Sequence, residues 1–291
     1  FRSDMFAVYN NYIYKIFNTM VHPSYEEGKD GYVFSKLSNQ SLNLDFQETY
    51  STFIKNFEDY AKERNIDFLY TLEPSKATVY TEYLPEGYNY SNENLEYLIS
   101  LLKEKDVNFL YNGDVLKSYK DKTQLFDVKY DAGHWNETGA IIGISAILDR
   151  LNILNPSIDK FDINNFSKSE HENTTLPVSY FPISETTYKY ELIEDNSTAV
   201  SDLNSEIRIS SQYKTFTHYK NEKNSDAPKI LVFAGSYFNN KDKFLTESFS
   251  EYIKVHNYHN VIDYDYYINL FNPDIILFES TEYTHSNGYF P

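Results

Sequence analysis

The stretch KILVFAGSYF, residues 229–238, is an apolar strand that ends at Gly235 and Ser236 and continues into a polar turn. In open α/β sheets, ligand sites form beyond the carboxyl ends of the strands. Gly235 allows a sharp turn there, and Ser236 is then presented at the edge with amides nearby that can face a developing oxyanion. An ordinary strand-to-helix turn is the alternative interpretation.

Similar apolar runs lie on either side of this stretch and alternate with helical patterns. Strands are predicted at 66–72 (IDFLYTL), 107–111 (VNFLY), 260–264 (NVIDY) and 274–280 (DIILFES), after a short strand in GKDGYVF (28–34). Apolar spacing of three to four residues predicts helices at 1–18, 46–64, 91–105, 137–151, 243–254 and 265–270. This alternation is typical of βαβ units and predicts an α/β fold with a doubly wound parallel sheet.

The region between the two α/β stretches has a different texture. Prolines interrupt it, and alternating runs such as TYKYELI (187–193) and EIRIS (206–210) predict strands. We therefore expect a mostly β insertion or cap beside the sheet. The predicted units are a first part of the α/β domain (1–154), the insertion (155–227) and a second part that carries Ser236 (228–291).

Composition excludes several classes of site. The chain has 291 residues, no cysteine and a net charge of −17. Disulfides, thiolate zinc sites and cysteine nucleophiles are therefore excluded. Because a surface with this much negative charge repels phosphate backbones, no nucleic-acid partner is expected. No HExxH motif is present, and no metal site is predicted.

The motif YDAGHWN (130–136) directly precedes the helix predicted at 137–151, for which Asn136 is the candidate N-cap. Asp131 and His134 are three residues apart, so one short loop can present a base and the carboxylate that fixes its tautomer. Taken alone, this motif favours a capping or surface role for His134 and a turn role for Asp131. Together with Ser236, these residues make up the inventory of a Ser-His-Asp acyl-transfer site, with Ser236 as nucleophile and His134 as general acid and base.

Five landmarks resemble those of the SGNH-hydrolase-like polysaccharide O-acetyltransferases, which include AlgJ, AlgX and the DHHW proteins of Gram-positive bacteria. In chain order they are FRSDMF (1–6), GKDGYVF (28–34), LEPSKATVYTEYLP (72–85), YDAGHWNETGA (130–140), and KILVFAGSYF together with NPDIILFESTEY (272–283). The resemblance covers most of the chain.

This resemblance implies an SGNH-like three-layer sandwich with a parallel sheet, in which the Asp/His motif precedes the serine, a circular permutation of the usual SGNH order. It also implies transfer of acetyl groups to an extracellular or cell-surface polysaccharide. No cofactor is implied, because the acetyl group comes from a membrane-bound O-acyltransferase partner. The chain begins at Phe1 without an initiator methionine, and the resemblance implies an N-terminal membrane anchor that is missing from it.

The chain departs from the family pattern at three places. Asp131 precedes His134 by three residues instead of two, Gly235 replaces an aspartate or threonine, and Tyr283 stands where an arginine is frequent. These departures leave the Ser-His-Asp set intact.

Candidate oxyanion and substrate groups are more loosely specified. At the Gly235 turn we expect the backbone amide of Ser236 to bind an oxyanion, with Asn239 or Asn240 as side-chain donors. Lys76 and Tyr80 follow a predicted strand and have either a substrate role or a structural one.

Trp135, the only tryptophan, either walls a pocket, stacks on a sugar or packs in the core. The leading hypothesis for the whole chain is an O-acetyltransferase outside the cytoplasm. A carbohydrate acetylesterase with the same three residues and a non-catalytic glycan-binding module are the alternatives.

Overall fold

The computed structural model describes residues 2–17, 20–37, 41–177, 181–201 and 207–291. Within these ranges the α-helices are α1 (Arg2–Phe17), α2 (Leu44–Lys62), α3 (Lys76–Val79), α4 (Glu93–Glu104), α5 (Asn112–Lys117), α6 (Glu137–Leu154) and α7 (Tyr264–Phe271). The strands are β1 (Tyr25–Glu27), β2 (Val33–Ser35), β3 (Asp67–Glu73), β4 (Phe109–Tyr111), β5 (Phe166–Thr175), β6 (Pro182–Leu192), β7 (Ser197–Ala199), β8 (Phe216–Asn221), β9 (Lys229–Ala234), β10 (Glu251–His256) and β11 (Ile275–Thr281). None of the helices in these ranges has the length and apolar character needed to cross a membrane.

The central sheet has seven strands in the order β4-β3-β11-β9-β10-β8-β7. The five strands from β4 to β10 are mutually parallel, and Ile230 of β9 pairs with Ile275 on one side and Tyr252 on the other. Strands β8 and β7 continue the sheet in antiparallel pairing. The carboxyl ends of β3, β11, β9 and β10 therefore meet at one edge.

Helices cover both faces of the sheet. In β9, Ile230 and Val232 belong to an apolar cluster with α6, whereas Leu231 and Phe233 belong to a cluster with α2, α4 and α7. This alternation is what a strand buried on both faces requires. The predicted α/β three-layer arrangement is confirmed.

Local sequence signals position the segments next to the candidate site. The side chain of Asn136 accepts a 2.9 Å hydrogen bond from the amide of Gly139, so α6 begins where the N-cap was predicted. Between β1 and β2 the chain turns with positive φ at Asp30 (53°) and Gly31 (77°). A hairpin-type turn of this kind was predicted from the Asp-Gly pair.

The predicted parallel sheet is present as five of the seven strands, and the two antiparallel strands β8 and β7 make the sheet mixed. Two of its strands, β7 and β8, come from the region expected to lie beside the sheet. The other two described strands of that region, β5 and β6, pair with each other in a separate two-stranded sheet. The division at 154 and 227 remains a prediction, and the strands of 155–227 are shared between the hairpin and the central sheet.

Three local predictions are wrong. Residues 243–254 form two short 3-10 turns and then strand β10, because Tyr252, Ile253 and Val255 are buried between β9 and β8. The NVIDY segment (260–264) is a 3-10 turn leading into α7. In EIRIS (206–210), Glu206 lies outside the described residues and the remainder is not a strand.

Candidate active site

Ser236 lies immediately after β9, at the carboxyl edge of the central sheet. It begins a 3-10 turn (Ser236–Phe238) in which Tyr237 and Phe238 are buried. Parallel strands flank β9 on both sides, so the turn starts from the most constrained part of the sheet. The side chain of Ser236 is only partly buried, which leaves its hydroxyl within reach of a ligand.

The loop before α6 brings Asp131 and His134 against this serine. His134 Nε2 lies 2.9 Å from Ser236 Oγ across 102 residues of sequence. On the other side of the ring, Nδ1 lies 3.0 Å from both carboxylate oxygens of Asp131. The three side chains therefore form a continuous hydrogen-bonded series of carboxylate, imidazole and hydroxyl.

The backbone of the same loop holds Asp131 in the ionised form. Burial acts to raise the pKa of Asp131, but the hydrogen bond and charge of His134 and the amides of Gly133 and His134 lower it below the usual value. Both amides donate to Oδ1 at 3.0 Å. An ionised Asp131 favours the tautomer with the proton on Nδ1, so the lone pair of Nε2 is directed at Ser236.

Gly133 and Trp135, the neighbours of His134 in sequence, are both hydrogen-bonded to Tyr237, the residue after Ser236. Trp135 Nε1 donates to the carbonyl oxygen of Tyr237 at 2.8 Å. The Tyr237 hydroxyl donates at 2.8 Å to the carbonyl oxygen of Gly133 and lies equally close to that of Pro74. Trp135 is only 2% exposed, so of its three predicted roles the structure places it in core packing, where it joins the two loops.

Beneath the serine, two buried carboxyl groups occupy neighbouring strands. Glu279 Oε2 accepts a 2.6 Å hydrogen bond from the amide of Gly235. Burial raises the pKa of Glu279 to about 7. Burial and then the charge of Glu279 raise the pKa of Glu73 to about 8. Glu279 therefore holds the amide of Gly235, the residue before the nucleophile. The pKa of about 7 means that this carboxyl group changes charge near neutral pH.

A carboxylate from the β5–β6 hairpin holds the loop that leads into Asp131. Glu185 accepts hydrogen bonds from the amides of Val128 (2.6 Å), Lys129 (2.9 Å) and Tyr130 (2.6 Å). Three consecutive amides converging on one carboxylate constrain the local backbone strongly. The hairpin is thus connected to the site through the loop of His134.

Lys76 and Tyr80 are structural in this arrangement. The ammonium group of Lys76 donates to the carbonyl oxygens of Val33 (2.6 Å), Asp127 (2.5 Å) and Val128 (3.0 Å), which uses its three hydrogens. The Tyr80 hydroxyl accepts from a backbone amide in the same buried region. Among the described residues, no hydrogen bond joins either side chain to Ser236.

The predicted oxyanion donors differ in whether they have a partner and in how exposed they are. The Gly235 amide is occupied by Glu279, while in the described structure no acceptor is assigned to the Ser236 amide. Asn239 and Asn240 are exposed beyond the turn. No hydrogen bond in the described residues links either asparagine side chain to Ser236 or His134.

Comparison with known proteins settles the family. Residues 26–210 match the family described as SGNH hydrolase-like domain, acetyltransferase AlgX. The chain belongs to this family. No curated protein sequence matches it.

Several solved structures share this fold. Bacillus cereus PatB1 superimposes with a TM-score of 0.70 at 18% identity, covering 90% of this chain and 97% of that one. A DHHW family protein from Eubacterium siraeum gives 0.65 at 15% identity, with 91% and 93% covered. The O-acetyltransferase domain of Pseudomonas putida AlgJ gives 0.62 at 13% identity, with 90% and 92% covered.

The sequence did not identify Glu279, Glu185 or Tyr283 as residues of this site. Glu279 carried a signal, since a carboxylate inside an apolar strand must be paired when buried. Glu185 carried no such signal, because the sequence of its hairpin is that of an exposed segment. Tyr283 was noticed only as a departure from the family pattern; it lines the pocket beside His134, and burial raises its pKa while a hydrogen bond with Ser236 opposes the rise.

Proposed function

We propose that this chain is an O-acetyltransferase that modifies an extracellular or cell-surface polysaccharide through an acetyl-enzyme on Ser236. The observation that carries the proposal is the Asp131–His134–Ser236 series, with 2.9 Å between imidazole and hydroxyl. Membership of the AlgX acetyltransferase family supports the reaction class.

In the first half-reaction, Ser236 Oγ attacks the carbonyl carbon of an acetyl donor while His134 Nε2 takes the hydroxyl proton. Asp131 stabilises the imidazolium that forms. We expect the Ser236 amide, for which the described structure shows no acceptor, to stabilise the oxyanion. Collapse of the intermediate expels the donor's leaving group, which takes the proton from His134, and leaves acetyl on Ser236.

In the second half-reaction, a sugar hydroxyl gives its proton to His134 Nε2 and its oxygen bonds to the acetyl carbon. The bond from that carbon to Ser236 Oγ then breaks, and Oγ recovers the proton. If water takes the place of the sugar, the same steps make an acetylesterase. The choice between the two reactions therefore depends on what occupies the space in front of His134.

Membership of the family supports a proposal for the setting of the reaction. We propose that the protein acts outside the cytoplasm, that an N-terminal anchor precedes this chain in the full protein, and that a membrane-bound O-acyltransferase supplies the acetyl group without a cofactor. In the part of the chain that the structure describes, no cluster of three or more His, Asp and Glu side chains is arranged to hold a metal ion.

Turnover of 4-nitrophenyl acetate tests the mechanism. Ser236→Ala and His134→Ala should each lower kcat by about 10³-fold or more, and mass spectrometry should find an acetyl adduct on Ser236 in the wild type. Ser211→Ala, at an exposed serine, is the matched control. Wild-type turnover in both site variants would refute the mechanism. Adding oligosaccharides and measuring acetylated sugar against free acetate separates transferase from esterase.

A further inference from the structure

A pocket of about 370 Å³ is lined in part by His134. This volume is in the range of roughly 300–1,000 Å³ found for small-ligand sites. Its lining includes Ala132 and Gly133 of the His134 loop and four residues with aromatic side chains, Phe34, Tyr88, Tyr90 and Tyr283. Aromatic faces of this kind suit the apolar faces of sugar rings.

The pocket has little positive charge to offer a ligand. Among the described residues that line it, the lysines are Lys36 and Lys76. Lys76 is 1% exposed and its hydrogens are taken by backbone carbonyls. The side chain of Lys36 is 59% exposed and lies 3.9 Å from Glu26. Neither ammonium group is positioned to neutralise a ligand carboxylate within the pocket.

The polar atoms that lack a partner at this pocket are acceptors. Glu282 Oε1 accepts from the hydroxyls of Thr78 and Tyr90, but Oε2 has no partner. Asn92 Oδ1 is likewise buried without a partner, since it caps no amide of α4. The carboxylate of Glu282 places negative charge in the wall of the pocket and therefore repels anions.

We propose that this pocket binds one uncharged sugar residue of the acceptor glycan against its aromatic side chains, and that it disfavours uronates. The inference rests on the proposed function, because it assigns the acceptor to the face of His134 that the pocket adjoins. An acceptor hydroxyl must reach His134 Nε2 in the second half-reaction, and a sugar held between the tyrosine rings is next to that ring.

Calorimetry on the Ser236→Ala variant tests the proposal with two probes, an N-acetylglucosamine tetramer and a galacturonate tetramer. The neutral tetramer should bind at least about tenfold more tightly. Tyr88→Ala in the same background should weaken its binding by about fivefold or more through loss of stacking, whereas Tyr119→Ala, at a tyrosine outside the pocket, should not. Glu282→Gln should reduce the ratio of the two affinities, neutral tetramer over galacturonate tetramer, several-fold, because it removes the charge and keeps an acceptor.

The outcomes separate this inference from the proposed function. Equal or tighter binding of galacturonate, or no binding of either tetramer, overturns the pocket assignment even if the wild type turns over acetyl esters. Neutral-sugar binding that Tyr88→Ala weakens, in a wild type without ester turnover, supports the pocket and counts against the enzyme mechanism. Melting temperatures of the variants establish that they are folded.

Discussion

Trp135, the residue after His134, donates a 2.8 Å hydrogen bond to the carbonyl oxygen of Tyr237, the residue after Ser236. This bond joins the loop of the base to the turn of the nucleophile inside the core. The distance between Nε2 and Oγ therefore depends on a contact that is itself remote from solvent.

Replacing Trp135 by phenylalanine keeps an aromatic ring but removes the donor. The buried Tyr237 carbonyl then loses its partner, which should cost about 1–3 kcal/mol of stability. We expect kcat for an acetyl ester to fall about tenfold, since small displacements of a catalytic pair are costly. Denaturant unfolding and steady-state kinetics measure the two effects, and unchanged kcat would show that the bond does not position the pair.

Asp131→Asn tests the carboxylate of the site. The asparagine oxygen can still accept from the amides of Gly133 and His134, but its NH₂ group cannot accept the proton on Nδ1. The imidazole should therefore adopt the wrong tautomer, and kcat should fall about 10³–10⁴-fold. Turnover of 4-nitrophenyl acetate is the measurement, and a loss below tenfold would contradict the role given to Asp131.

Glu279 should act through the position of the turn and not through substrate binding. Glu279→Leu removes the acceptor of the Gly235 amide, so we expect kcat to fall about tenfold with KM nearly unchanged. Glu279→Gln keeps an acceptor oxygen and should restore most of the rate. If the leucine variant matches the wild type, the hydrogen bond is structural only.

The Glu73–Glu279 pair should make stability fall as pH rises. Burial raises both pKa values above 4.5, to about 8 and about 7, so the native state binds more protons than the unfolded state. Their contribution is fully present below about pH 4.5 and is lost as pH rises to 7–8. Between pH 6.5 and 8.0 the wild type should lose about 2 kcal/mol more than the Glu73→Gln/Glu279→Gln variant.

Denaturant unfolding of both proteins at the two pH values supplies the comparison. Because other buried groups titrate identically in the two proteins, the difference isolates the pair. Parallel pH profiles would mean that these carboxyl groups keep the same charge throughout this window.

Glu185→Ala removes the shared acceptor of three backbone amides. We expect a stability loss of about 2 kcal/mol and a lower kcat, because the loop leading to His134 loosens. Glu170→Ala, at an exposed glutamate on the same hairpin, is the control. Equal behaviour of the two variants would argue that the hairpin plays no part in positioning the base.

Local sequence was sufficient where one element carries its own signal. Asn136 predicted the start of α6, and the apolar runs predicted β3, β9 and β11. The motifs at 130–136 and 229–238 led to Asp131, His134 and Ser236, which the fold brings into hydrogen-bond contact. Each motif was ambiguous alone, and only their combination pointed to one site.

Prediction failed where neighbours in space decide the structure. The apolar residues Leu245, Phe249 and Tyr252 are spaced as in a helix. A strand forms at 251–256 instead, because its two edges pair with β8 and β9 and its side chains are buried. Strands β7 and β8 read as part of an insertion because nothing local shows that β8 pairs with β10 and β7 with β8. Glu185 was missed for the same reason, since its partners lie more than fifty residues away.

The two halves of the site rest on parts of the fold with different resistance to local opening. Ser236 follows a strand in the middle of the sheet, whose amides should exchange with deuterium only when the whole domain unfolds. The amides at 128–130 are protected by one side chain from a largely exposed hairpin, and should exchange at lower free energy. On warming, the imidazole should lose its alignment before the domain melts, so heat inactivation is expected to precede the calorimetric transition and to be reversible.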